Sequence, residues 1–144
     1  MESVWDGGDL DSMVRTVYGE ARGEPQMGQI AVAWVIANRA SWKPPAWWGH
    51  TISQVCTKPY QFSCWLPSDP NYAQISALKP SDPAYVQISA LCRGVLNGTT
   101  PDPTHGATMY KATGSQASWD RAVAGTDPVI IGRHSFWNLG PRAT

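Results

Sequence analysis

From Leu10 the apolar residues recur at Met13, Val14, Val17, Tyr18 and Ala21, the three-and-four spacing of an amphipathic helix, with Asp9 placed to cap it. The pattern predicts an end at Gly23. Glu24 precedes a proline, which disfavours helical geometry there, and Pro25 suits the first position of a second helix. That helix is predicted from Pro25 towards Trp42. Its run Ile30-Ala-Val-Ala-Trp-Val-Ile-Ala37 is apolar on every side, which assigns it to the centre of the core.

Beyond it the pattern breaks into a proline- and tryptophan-rich loop, Trp42-Lys-Pro-Pro-Ala-Trp-Trp-Gly49, closed by Thr51-Ile-Ser-Gln54. The spacing of Thr51 and Gln54 predicts a capping box opening a short helix to about Cys56. An aromatic loop follows, Tyr60-Gln-Phe-Ser-Cys-Trp65. Residues 68 to 78, SDPNYAQISAL, nearly repeat as residues 81 to 91, SDPAYVQISAL. Each Ser-Asp-Pro is a helix start, and the second helix is predicted to end at Asn97-Gly98. Two copies make a local duplication, which belongs to the scaffold. After Gly98, the stretches 107–112 and 129–137 read as strands separated by turn-forming residues. Helices first and a small sheet last predict an α+β domain, mostly helical, with a short antiparallel sheet in the C-terminal part.

At 144 residues the chain fits one domain, with residues 1–8 expected to be a flexible N-terminus. Lys plus Arg and Asp plus Glu both number 11 and no stretch concentrates like charge, which argues against nucleic acid or an anionic lipid surface as partner. No apolar run reaches the roughly 18 residues of a spanning helix, so no membrane insertion is expected. The acidic, polar start, Met1 to Asp9, lacks the basic patch and apolar run of a secretory signal. Cys56, Cys64 and Cys92 are an odd number, consistent with synthesis in a reducing compartment, although one bridge is allowed. His50, His105 and His134 share no metal-ligand spacing, so neither a metal nor another cofactor is expected. Eight tryptophans exceed ordinary usage; sugar rings stack on such surfaces, though any single Trp is more readily explained by packing.

The residue that stands out chemically is Glu20. On the helical wheel it falls beside Met13 and Val17, at the edge of the apolar stripe, while Arg22 faces water. A carboxyl half withdrawn from water favours its neutral form, as proton donation requires. Glycines at 19 and 23 leave room for a ligand to approach. The competing carboxylate, Glu24, reads as structural.

The segment Tyr18-Gly-Glu-Ala-Arg-Gly-Glu-Pro25, with Gly28-Gln-Ile-Ala-Val-Ala33 and Ile36-Ala-Asn-Arg39, resembles the signature of the SleB/CwlJ cell-wall hydrolases, the spore cortex-lytic enzymes and their phage relatives. The likeness continues through Ile52-Ser-Gln-Val55, Tyr60-Gln-Phe-Ser63, Tyr110, Trp119 and Ile131-Gly-Arg-His-Ser-Phe136, covering about residue 10 to residue 137. It implies a fold related to lysozymes and resuscitation-promoting factors. The implied activity is cleavage between N-acetylmuramic acid and N-acetylglucosamine in peptidoglycan glycan strands, with Glu20 as the catalytic residue. The implied mechanism is that of a lytic transglycosylase, leaving a 1,6-anhydro sugar. Such an enzyme manages with one carboxylate, whereas ordinary glycosidases need two, roughly 5 to 9.5 Å apart.

Substrate contacts are expected from Tyr60, Gln61, Phe62 and Ser63, whose amide and hydroxyl suit acetamido groups and whose rings suit sugar faces. Tyr110 and His134 match family motifs on the predicted strands and are expected to line the cleft. The lack of a visible export signal leads to the expectation of a monomeric phage endolysin, made in the infected cell's cytoplasm and acting on the wall. A catalytic domain separated from a longer protein is the alternative. Three rival readings stand beside this one. The first is a hydrolytic muramidase that recruits Asp69, Asp82 or Asp120 as second carboxylate; the second, a glycan-binding module without turnover. A zinc amidase or cysteine peptidase, lacking paired His and Cys motifs, is the weakest.

Overall fold

A computed structural model describes residues 5–44 and 46–141. Five helices precede a three-stranded sheet: α1 Gly7–Ala21, α2 Gln26–Ala40, α3 Ile52–Thr57, α4 Pro70–Ala77 and α5 Pro83–Leu96, then β1 Met109–Ala112, β2 Val129–Ile131 and β3 His134–Trp137. The mostly helical α+β class expected from the order of patterns is the class observed. Single 3₁₀ turns stand at Ser63–Trp65 and Asp120–Val123.

Several boundaries differ from expectation for identifiable reasons. α1 starts at Gly7, so Gly7 and Gly8 are helical, and residues 1–4 of the expected flexible terminus lie outside the described residues. Its cap is Asp6, not Asp9. The Asp6 carboxylate accepts from Asp9 N at 2.9 Å, and that of Asp9 accepts from Asp6 N at 3.1 Å. Asp9 is thereby freed to take both the backbone and the hydroxyl of Ser53, tying α1 to α3. α1 ends at Ala21, with Arg22 as its cap. Pro25 is the N-cap of α2 rather than its first helical residue, its ψ of 159° being extended. At α3 only half of the predicted box forms: Thr51 accepts from Gln54 N, while the Gln54 side chain accepts from His50 N.

The core lies where α1, α2, α3 and α5 meet. Met13, Val14 and Val17 pack with Val32, Val35, Ile36, Val55, Ile88 and Val95, all buried. The duplicated helices α4 and α5 flank α1 through Arg15, which donates to the carbonyls of Ile75 and Leu78 and pairs with Asp11, and through Tyr85, whose hydroxyl donates to Asp11 at 2.7 Å. All three cysteines are free and buried. Burial pushes the Cys56 thiol up to about 12 and those of Cys64 and Cys92 higher still.

The predicted strand 129–137 is two strands. Gly132 and Arg133 form a two-residue hairpin between the paired residues Ile131 and His134, and Gly132 has the positive φ, 58°, that such a turn requires. The first strand is also shorter than expected, because Ala107 and Thr108 serve α2 instead: their carbonyls accept from Asn38 and Arg39. The sheet order is β1-β3-β2, all antiparallel, which leaves β1 and β2 at the two edges. Tyr110 lies opposite Phe136, and Phe136 enters the helical core.

One close approach sets the spacing of α1 from the 3₁₀ turn beside it. A Cβ at Gly19 would stand 2.6 Å from Cys64 Cβ and 2.9 Å from Ile75 Cγ2. Gly19→Ala is therefore expected to destabilise the fold by about 1–3 kcal/mol despite the better helix propensity of alanine. Urea unfolding of the two proteins measures the difference.

Candidate active site

α1 ends in a turn whose residues face different partners. Glu20 lies on its last helical turn, half-buried, and lines a groove of about 750 Å³ between the helices and the edge strand. Tyr110 comes to it from β1 and its hydroxyl donates to Glu20 Oε1 at 2.8 Å. Burial, and then the nearby Glu20 carboxyl, push the Tyr110 hydroxyl well above the usual phenol range, so it stays a donor. The Cys64 thiol, held under α1 by the absence of a side chain at Gly19, is a second group against Glu20. No arginine pairs with Glu20 among the described residues.

Glu24, four residues on, is spent on structure. Its side chain is 4% exposed and accepts from both Arg133 N, at 2.8 Å, and Arg133 Nε, at 2.9 Å. These bonds, the backbone one first, hold its carboxyl below the usual range against the opposing effect of burial. The β2–β3 hairpin is thus docked on the α1–α2 turn. Two glycines make the fit: a Cβ at Gly132 would stand 2.5 Å from Glu24 Oε1, and one at Gly28 would stand 3.0 Å from Glu24 Cβ.

The other expected site residues divide. Tyr60, Gln61, Phe62, Tyr110 and His134 line the groove with Glu20; Ser63 does not, and instead opens the 3₁₀ turn, where its carbonyl accepts from Leu66 N. Phe62 is 2% exposed and lies under the Arg39 guanidinium, 5.2 Å from it. Its ring belongs to the groove floor and is not open to a sugar face, which corrects the expectation for this residue. Tyr60, by contrast, is 81% exposed and held at a φ of 66°, a conformation rare for a bulky residue. His134 packs edge-on to Tyr110, with Nδ1 3.5 Å from Glu24 Oε1.

The three aspartates named as second carboxylates are employed elsewhere. Asp69 caps α4 by accepting from Asn71 N, Asp82 accepts from Lys79 N, and Asp120 pairs with Lys111 at 2.6 Å. Glu20 is the one carboxylate lining the groove among the described residues. The pattern did not single out Arg39, Trp47, Lys111 or the loop residue Ser118, which also line it. Arg39 carried a usable signal, an arginine in an otherwise apolar helix; Trp47 and Lys111 are brought in by loop and sheet geometry.

The profile of the Cell Wall Hydrolase family matches residues 23–137, a span that Glu20 just precedes. The spore cortex-lytic enzyme of Halalkalibacterium halodurans is 34% identical over 136 residues, covering 90% of this chain and 34% of that protein. That of Bacillus cereus is 46% identical over 55 residues, 38% of this chain and 20% of that protein. The chain thus spans about a third of one of these relatives and a fifth of the other. Among solved structures, the catalytic domain of the germination-specific lytic transglycosylase SleB from Bacillus anthracis superposes with a TM-score of 0.69 at 28% identity, covering 94% of this chain and 98% of that one. The Bacillus cereus SleB catalytic domain gives 0.69 at 27%, covering 94% of each.

Replacing Glu24 tests the docking of the hairpin. A depressed carboxyl stabilises the fold above its unfolded value, near 4.5, and the contribution is lost as pH falls through the folded value. Glu24→Gln is expected to cost about 1–3 kcal/mol at pH 7 and progressively less in acid. Chemical denaturation of both proteins across that range provides the comparison.

Proposed function

The chain belongs to the cell wall hydrolase family, and from that premise we propose that it cuts peptidoglycan glycan strands between N-acetylmuramic acid and N-acetylglucosamine, with Glu20 as sole acid and base. The observation that carries the reading is that Glu20 is the groove's one carboxylate among the described residues, half-buried and already hydrogen-bonded through one oxygen. The similarity to a protein described as a lytic transglycosylase supports it.

The chemistry follows from that single group. Neutral Glu20 gives its proton to the glycosidic oxygen as the bond from C1 to that oxygen breaks, leaving a hydroxyl on the departing sugar. Tyr110 donates to Oε1, so Oε2 is the oxygen proposed to carry the mobile proton. Positive charge develops on the muramic ring. Its own C6 oxygen then bonds to C1, and the C6 hydroxyl proton passes to the Glu20 carboxylate, restoring the acid. The product is a 1,6-anhydro sugar, and no water is consumed. A hydrolytic muramidase would need a second carboxylate to activate water, whereas Asp69 and Asp82 accept from backbone N–H groups, Asp120 is paired with Lys111, and none of the three lines the groove. Tyr60 and Gln61 at the rim are the proposed sugar contacts, with Tyr110 and His134 shaping the wall.

Purified cell walls give the test. Wild type should release fragments whose reducing-end muramic residues are one water lighter than hydrolytic products by mass spectrometry, and Glu20→Gln should release none. Undiminished lysis by Glu20→Gln refutes the assignment. Tyr110→Phe should lower turnover about tenfold, since Glu20 loses the bond that orients its proton.

A further inference from the structure

Arg39 has no place in the mechanism above, yet its setting is unusual. It is 4% exposed, on the last turn of α2, at the floor of the groove that Glu20 lines. Nε donates to the Thr108 carbonyl at 2.7 Å, one terminal nitrogen reaches the Met109 sulfur at 3.4 Å, and the other, Nη1, has no partner. The faces of Trp48 and Phe62 flank the guanidinium at 5.6 and 5.2 Å. Among the described residues no carboxylate forms an ion pair with it. Burial draws the guanidinium down only to about 10, so it remains a cation at neutral pH.

A buried, uncompensated cation is costly, and apolar residues of similar volume would ordinarily serve a helix better. Holding the Thr108 carbonyl needs a donor but no charge. The charge has a use if an anion appears nearby during turnover and not at rest. In the reading proposed above, one does: Glu20 becomes a carboxylate each time its proton leaves.

We propose that Arg39 is a positioning residue for Glu20, a fixed counter-charge for the carboxylate that exists only between proton donation and proton return. The inference rests on Glu20 being the acid. A preorganised charge that meets its partner only as the reaction proceeds lowers the barrier without binding the resting state more tightly. Glu20 is otherwise met by Tyr110 from β1 and Cys64 from the 3₁₀ turn, both neutral, while His134 of β3 and Lys111 of β1 line the same groove. Lys111 is already paired with Asp120.

The test uses Arg39→Gln, which keeps a donor for Thr108, Arg39→Met as a second charge-removing variant should the first not fold, and Arg39→Lys, which keeps the charge. On solubilised glycan strands, loss of the charge should lower kcat up to about tenfold with KM within about threefold. The alkaline limb of the kcat profile should move up by about one pH unit, because without the cation Glu20 keeps its proton to higher pH. Arg39→Lys should restore most of kcat and the original limb. The same displacement should be seen by NMR in the titration of the Glu20 carboxyl carbon. A folded Arg39→Gln or Arg39→Met with an unmoved limb, or with a loss confined to KM, overturns the proposal while leaving Glu20 in place. If wild type and Glu20→Gln act alike on cell walls, the underlying reading fails first and this one with it.

Discussion

The arrangement depends on one buried carboxylate, Glu24, that holds two parts of the chain together. Glu24 accepts the backbone and side chain of Arg133, and through that contact a short hairpin is fixed on the turn between α1 and α2. Because β3 pairs with β1, fixing the hairpin tip also fixes the register of the edge strand, and with it the place where Tyr110 stands. A helical body and a three-stranded sheet contribute little common core beyond Phe136, Tyr110, Val129 and Ile131, so a polar clamp at the far end does much to hold their relative orientation. Its partners leave no freedom for a side chain at Gly132 or Gly28.

Two glutamates one helical turn apart thus receive opposite treatments from the same fold. Glu24 is surrounded by donors and a cation and is kept ionised; Glu20 meets a phenol and a thiol, neutral donors, at the edge of open space. The difference arises from the turn between them. α1 ends at Ala21, and the extended Pro25 swings Glu24 towards the hairpin while Glu20 stays on the helix facing the groove.

This contrast explains what could be read before any coordinates. The class of fold, the central helix, the paired Ser-Asp-Pro helices and the edge position of Glu20 were all written in periodicity and caps, which are local. Glu24 as a structural residue was legible too, though not its partner, since Arg133 is remote in the chain. The misplaced cap at Asp9 shows the limit of a local rule: Asp6 and Asp9 cap each other, and only the contact with Ser53 reveals why the second is buried. Phe62 and Ser63 share with Tyr60 one family-like motif, and their side-chain chemistry alone suits all three to sugar contacts. The 3₁₀ turn rotates them apart, sending one into the core and the other away from the groove. Arg39 belongs to the Ile36-Ala-Asn-Arg39 motif, but its burial is a property of the assembled core that the motif does not carry.

The three thiols carry a last implication. Cys56, Cys64 and Cys92 are shut away from solvent and held far from the thiolate form, and none is bonded to another. The tertiary structure therefore asks nothing of its redox surroundings. A change of redox surroundings would leave the protein with the same set of bonds.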